Sequence, residues 1–249
     1  TQAAASSASG DAAPIWKIHN DADAATLTYK TQDLLEYNTV VDYYSCNNFS
    51  ANFLLFLSSI IDDKLRALPW LPATRVNKSV LRHSCWFTEG KCKCKYNYSG
   101  TRWPPCVYPE WLSQLGRYVS SFPGEDFNSV NANFYADGKQ GIGPHSDNEP
   151  LFFDHLTWEN KETTIASISF GSSRIMEFKH KYVHDCAFKQ SLNNLDILVM
   201  KGETQKHFHH SVPQDVNCTS PRFNFTFRRL KRHQPQRPLR HTWHDGSRS

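Results

Sequence analysis

Between residues 51 and 68 the apolar side chains Phe53, Leu54, Leu57, Ile60, Ile61, Leu65 and Leu68 recur at three- and four-residue steps. That spacing lays them along one face of a helix. Ser50 is placed to cap its first turn, and Pro69 and Pro72 stop it. The same period predicts a second helix over residues 110–121, with Leu112, Leu115 and Val119 inward and Pro123-Gly124 beyond its end. After Gly124 the texture changes to short strands, predicted over residues 130–135, 164–170, 175–180, 196–200 and 222–230. Turn pairs such as Asp137-Gly138, Asn193-Asn194 and Lys201-Gly202 separate them. Several short strands at close spacing predict a sandwich or barrel. Residues 15–45 carry only brief alternating runs of Thr, Tyr and Val, and residues 1–14 are Ala/Ser-rich with no apolar period. The expected plan is a flexible leader (1–14), a single domain (15–230) with helices before a β-core, and a basic tail (231–249).

The strand Arg222-Phe223-Asn224-Phe225-Thr226-Phe227-Arg228 alternates polar and aromatic through its whole length. With a period of two, the three Phe share one face and Arg222, Asn224, Thr226 and Arg228 share the other. Phe on one face is core packing. Two Arg on the interior face of a barrel are costly unless an anion sits there. A dicarboxylate is such an anion, because the guanidinium fork matches carboxylate geometry. The plainer alternative is an exposed edge strand with its Arg in water.

Two further runs bear on chemistry. In His145-Ser146-Asp147 the imidazole and carboxylate stand two residues apart, on the same side of an extended chain. In His207-Phe208-His209-His210-Ser211-Val212-Pro213 three His fall within four positions, and His210 can supply a third ligand. Two His and one carboxylate, with open positions left over, suit a non-haem Fe(II) oxygenase. Taken singly, the first run reads more simply as polar residues at the surface, and the second reads also as a solvated His-rich turn.

Composition narrows the class. A chain of 249 residues can bury a full core, and 16 Phe, 10 Tyr and 7 Trp exclude a wholly disordered one. The longest greasy run, residues 53–57, falls far short of the ~18–20 apolar residues of a membrane span. The sequence opens on Thr1 without a Met or a basic-then-apolar signal, which reads as a fragment or a processed chain. Seven irregularly spaced Cys make a poor disulfide framework, so the expected setting is reduced and intracellular, nuclear and/or cytoplasmic, not secreted. The five Asn-X-Ser/Thr sequons are then coincidental. The net charge of +4 is uneven: residues 228–249 hold seven of the 28 basic groups and one of the 24 acidic ones, leaving 21 and 23, a net of −2, in residues 1–227.

The ordered motifs Asn133-Phe134-Tyr135, Asp137-Gly138, His145 to Pro150, Ile165 to Gly171, His210 to Pro213 and Arg222 to Arg228 together resemble the AlkB family. These are Fe(II)- and 2-oxoglutarate-dependent dioxygenases that remove alkyl groups from nucleic acid bases. The resemblance runs from about Arg82 to Arg228. It implies a double-stranded β-helix (jelly-roll) of two packed sheets, with N-terminal helices buttressing one of them. It implies that His145, Asp147 and His210 hold the iron. Arg222 and Arg228 would pair with 2-oxoglutarate carboxylates, helped by Asn133, Tyr135 and Asn224. Glu149 would touch the exocyclic amine of the base. The implied reaction uses O2 to demethylate bases of the 1-methyladenine or 3-methylcytosine type in DNA and/or RNA. It releases formaldehyde, succinate and CO2. The same chemistry on a protein or lipid, or a non-catalytic nucleic acid-binding module, are the alternatives.

Upstream, Trp86-Phe87 and Tyr96-Asn97-Tyr98-Ser99-Gly100 resemble the family's substrate-facing hairpin, with Trp86 or Phe87 as the ring that stacks on a flipped base and a Tyr reaching toward the backbone. Residues 78–102 hold six basic residues and one acid, Glu89, with Trp86, Phe87, Tyr96 and Tyr98 among them and Trp103 just beyond. Interleaved cations and rings suit a phosphate backbone and exposed bases. The bland reading is a charged loop with its aromatics packed underneath. Cys85, Cys92, Cys94 and Cys106 with His83 have the ligand types of a zinc site, but Cys-X-Cys is a poor signature and free thiols are the simpler expectation. The expected partner is nucleic acid, with no membrane, and the expected state is a monomer.

Overall fold

A computed structural model describes residues 27–29, 38–60, 63–74, 80–90, 92–98, 101–152 and 163–231. The expected leader, residues 232–249 of the expected tail, Lys78 and Lys91 lie outside the described residues. In chain order come β1 (Leu27–Tyr29), β2 (Thr39–Tyr44), α1 (Ala51–Ser58), α2 (Asp63–Arg66), β3 (Leu71–Thr74) and β4 (Val80–Thr88). A small hairpin, β5 (Tyr96–Tyr98) and β6 (Thr101–Trp103), is followed by β7 (Pro105–Cys106) and α3 (Glu110–Ser121). The remainder is β8 (Ser129–Tyr135), β9 (Ile142–His145), β10 (Ile165–Gly171), β11 (Arg174–His180), β12 (Ala187–Leu192), β13 (Ile197–Gly202), α4 (Thr204–His207), β14 (Phe208–Val212) and β15 (Arg222–Arg228).

Two sheets face each other as a jelly-roll. The major sheet runs β1-β2-β13-β10-β15-β8-β4-β3, with β7 beside β4, and the minor sheet runs β12-β11-β14-β9. Val41, Ile165, Leu198 and Met200 of the major sheet pack against Met176, Phe178, Phe208 and Val212 of the minor one, forming the core between them. The outer face of the major sheet is covered by the helices. There Phe223, Phe225 and Phe227 join Phe53, Leu57, Leu112, Leu115 and Val119. α3 comes close to the sheet because Gly116 faces Phe227, where even a Cβ would meet the ring at 3.3 Å. Trp111 stands edge-on to Phe225, with ring centroids 5.9 Å apart.

α3 occupies the predicted residues, and the expected buttressing helices are present. The single helix predicted over residues 51–68 is instead two described pieces. Ser50 does cap the first, accepting from the Phe53 N–H at 3.3 Å. The first piece closes at Ser58, where the hydroxyls of Ser58 and Ser59 donate to the Leu55 and Phe56 carbonyls at 2.7 Å each. Such back-bonding competes with the helical ladder. Of the His-rich run, with a solvated turn as its plainer reading, His207 ends α4 and Phe208–Val212 form the strand β14, which the minor sheet pairs on both sides.

Candidate active site

β9 and β14 bring the three proposed metal ligands together. His145 and His210 are direct register partners in the minor sheet, and their rings lie 4.2 Å apart. Asp147 follows β9, with Oδ1 3.7 Å from His145 Nε2 and Oδ2 3.8 Å from His210 Nε2. All three ligand atoms lie within 4.8 Å of one another, and this is the one such group of His, Cys, Asp or Glu among the described residues. His145 Nδ1 donates to the Gly143 carbonyl at 2.9 Å, which leaves its Nε2 lone pair for a metal.

The electrostatics keep each ligand in its coordinating form. Burial, reinforced by His145, pushes His210 down to about 3, so the ring is neutral. Burial also lowers His145, against the opposing pull of Asp147. For Asp147 burial opposes ionisation, but the Arg228 guanidinium outweighs it and holds the carboxyl below its usual range. Asp147 Oδ1 is buried without a hydrogen-bond partner. Two neutral imidazoles and an ionised carboxylate with a spare oxygen fit a divalent first-row metal.

The triad opens into a cavity lined by the inward faces of β4, β8, β10 and β15. Arg222 is buried there. Its Nη2 donates to Ser169 Oγ and Asn224 Oδ1, both at 2.9 Å, while Nε and Nη1 are buried with no acceptor. Burial lowers its pKa to about 10. Its guanidinium lies 5.5 Å from the Tyr135 ring centroid, on which Arg174 also bears from 5.7 Å. The fixed charges of the lining are Arg82, Arg222, Arg228 and Asp147, so cations outnumber anions. Buried N–H groups of a cation need an anionic acceptor. A dicarboxylate supplies one, and the cavity fits 2-oxoglutarate on these grounds.

The expected anchors Asn133, Tyr135, Arg222, Asn224 and Arg228 all line this cavity. Arg228 sits at its metal end. It donates to Asp147 Oδ2 at 2.7 Å and to the Tyr96 hydroxyl at 3.1 Å. Although burial opposes its charge, Asp147, Tyr96 and Glu149 hold the guanidinium firmly protonated. Tyr96 also donates to Glu149 Oε1 at 2.6 Å, and Glu149 Oε2 is buried without a partner. Burial raises the Glu149 carboxyl, against Arg228.

The hairpin residues divide. Phe87 is no substrate platform: it is fully buried in the helix-side core, edge-on to Tyr108. The register of β4 against β8, with Ser84 opposite Asn133, sets this parity and turns Phe87 and Cys85 away from the cavity. Trp86 is on the cavity side but fully covered. Its Nε1 donates to the Cys94 carbonyl at 2.9 Å, and Tyr96 stacks on it at 4.8 Å. Tyr98 pairs with Thr101 in the small hairpin, and its side chain lies outside the described residues. Arg82, grouped by sequence with the hairpin cations, is buried instead. Its Nε shares Asn133 Oδ1 with Ser84 Oγ, at 2.8 and 2.7 Å. Continuing the alternation of β4 back from Trp86 through Ser84 to Arg82 was the signal for this. Lys93, Lys95 and Arg102 are exposed as expected. No zinc set is assembled among the described residues. Cys85 faces the helix-side core and Cys94 the opposite cluster with Trp86, and all seven Cys are free thiols.

A family model of the 2OG-Fe(II) oxygenase superfamily matches residues 68–228. Alpha-ketoglutarate-dependent dioxygenase alkB homolog 3 of Bos taurus is 30% identical over 185 residues, which cover 68% of this chain and 60% of that protein. DNA oxidative demethylase ALKBH2 of Homo sapiens is 31% identical over 150 residues, covering 57% of this chain and 55% of that one. The chain thus spans about three-fifths of the length of the curated relatives it matches. The solved structure of OsALKBH1 superposes with a TM-score of 0.50 at 16% identity, covering 77% of this chain and 96% of its own, a likeness of fold. The chain belongs to the 2OG-Fe(II) oxygenase superfamily and, within it, to the AlkB family.

Proposed function

We propose that this protein is an Fe(II)- and 2-oxoglutarate-dependent dioxygenase that demethylates alkylated bases of the 1-methyladenine or 3-methylcytosine type in DNA and/or RNA. It acts as an intracellular monomer, nuclear and/or cytoplasmic. The observation that carries the oxygenase chemistry is one cavity holding both the His145–Asp147–His210 triad and a buried Arg222 with two unsatisfied N–H groups. The names of the relatives carry the substrate class: one is a DNA oxidative demethylase and the other an alpha-ketoglutarate-dependent dioxygenase.

When bound, iron and 2-oxoglutarate would let O2 act as the oxidant: one oxygen atom would enter the succinate formed as 2-oxoglutarate loses CO2, and the other would convert a methyl C–H to C–OH, after which formaldehyde would leave the base nitrogen. The protein's part is placement. His145, Asp147 and His210 would hold the metal. Arg222 takes a carboxylate of 2-oxoglutarate, with Tyr135, Asn133 and Asn224 shaping the cavity around it. Arg228 keeps Asp147 ionised and aligned. Tyr96 holds the Glu149 carboxyl by one oxygen. The unpartnered Oε2 is then available to an exocyclic amino group of a base. Exposed Lys93, Lys95 and Arg102 face solvent beside this region and suit a phosphate backbone.

The test is formaldehyde release from a panel of DNA and RNA oligonucleotides carrying single methylated bases. Release that requires both Fe(II) and 2-oxoglutarate is expected from at least one member. Uncoupled 2-oxoglutarate turnover with no release from any member removes nucleic acid as the substrate.

A further inference from the structure

Asp147 supplies the carboxylate of the triad, yet strand pairing does not fix it. The β9–β14 ladder ends at His145, and its register shifts between His210 and Val212. Asp147 lies two residues beyond, on a connection leading to the turn at residues 150–152. Its main-chain N–H donates instead to the side-chain Oε1 of Gln205, at 2.9 Å. Both residues are buried, Asp147 at 2% and Gln205 at 1% exposure. The neighbouring Ser146 hydroxyl donates to the Phe208 carbonyl at 2.7 Å, so two consecutive residues of the ligand run are tied to one place.

That place is the single turn α4 and the residue that follows it, Phe208, which opens the strand that carries His210. α4 is itself anchored. Thr204 Oγ1 donates to the Lys201 carbonyl at 2.6 Å, and Lys181 Nζ donates to the Gln205 carbonyl at 2.9 Å. The far end of the Gln205 amide, Nε2, meets Met200 Sδ at 3.3 Å, which gives the amide one sensible orientation with its oxygen toward Asp147. A neutral amide oxygen suits this position: it accepts the N–H without bringing a second negative charge beside the ligand carboxylate.

We infer that Gln205 is a positioning residue of the metal site. It acts through the main chain of Asp147, while Arg228 sets the rotation of the same residue's carboxylate. The inference rests on the metal-site reading above. Partners that orient a metal ligand from behind typically change metal affinity by about 10–100-fold when lost.

The experiment is a titration of the purified, metal-free chain with Mn(II), followed by the loss of the free-ion electron spin resonance signal, with the melting temperature of each metal-free protein recorded alongside. Gln205→Leu is compared with wild type and with Thr204→Val, which loosens α4 without removing the acceptor. Gln205→Ser, too short to reach Asp147 and leaving room for water, runs in parallel should the Leu variant fail to fold. The expected result is saturable binding by wild type, affinity weakened about tenfold or more in the Gln205 variants, and near wild-type affinity in Thr204→Val whatever its melting temperature. Wild-type affinity in either folded Gln205 variant overturns the inference, as does an equal loss in Thr204→Val. Absence of saturable binding by wild type instead overturns the metal-site reading itself.

Discussion

Arg228 and Asp147 form a buried ion pair, Nη2 to Oδ2 at 2.7 Å, that joins the last residue of β15 to the carboxylate ligand beyond β9. One strand therefore serves both ends of the cavity, with Arg222 at the far end and Arg228 against the triad. Removing one partner of such a pair leaves an uncompensated buried charge, which costs about 3–5 kcal/mol. Arg228→Met is expected to lose stability on that scale in urea unfolding, and Arg228→Lys, which keeps the charge but not the fork, to lose less. Equal stability of Arg228→Met and wild type would show that the pair does not organise the site.

Arg222 behaves in the opposite way. Its cation is buried without an anion, so Arg222→Met is expected to leave the cofactor-free protein as stable as wild type or more so. Binding of 2-oxoglutarate should weaken by about 10–100-fold, the value of one or two charge-assisted hydrogen bonds. Calorimetric titration with 2-oxoglutarate and thermal unfolding of the same samples separate the two effects. A destabilised variant with unchanged affinity would assign Arg222 a purely structural role.

The substrate side can be tested apart from the cofactor side. Tyr96→Phe removes the hydroxyl that donates to Glu149 and accepts from Arg228, and leaves the ring on Trp86. Formaldehyde release from a methylated oligonucleotide is expected to fall by about tenfold or more, on the scale of one or two hydrogen bonds. Substrate-free 2-oxoglutarate turnover should stay within a few-fold. Equal loss of both activities would place Tyr96 in the metal site rather than at the base.

Phe87 separates packing from recognition. Phe87→Ala should cost about 3–5 kcal/mol of stability, as for any large core ring. The kcat of the folded fraction on methylated oligonucleotides should remain close to wild type. A selective rise in KM for the oligonucleotide, without loss of stability, would restore Phe87 as a base contact.

The contrast between β15 and β4 explains what the sequence disclosed. In β15 the alternation of Phe with Arg, Asn and Thr names its own faces, so the cofactor strand could be assigned without a partner. The types and order of His145, Asp147 and His210 likewise indicated a metal, although only the β9–β14 pairing places the two imidazoles opposite each other. β4 carries Trp86 and Phe87 in succession, and nothing local says which faces the cavity. That parity is set by its register against β8. Arg82 and Gln205 were hidden for a related reason: each works through a contact 51 or 58 residues away in sequence. The break in the first helix turned on two serine hydroxyls that an apolar pattern does not weigh.

The central claim is that one cavity couples 2-oxoglutarate consumption to base demethylation through the His145–Asp147–His210 triad. Its most direct test measures succinate and formaldehyde together, from wild type and Asp147→Ala, with Fe(II), 2-oxoglutarate and a methylated oligonucleotide. Equal amounts of the two products from wild type, and neither from a folded Asp147→Ala, are predicted. Succinate or formaldehyde formation by Asp147→Ala at the wild-type rate would contradict the account.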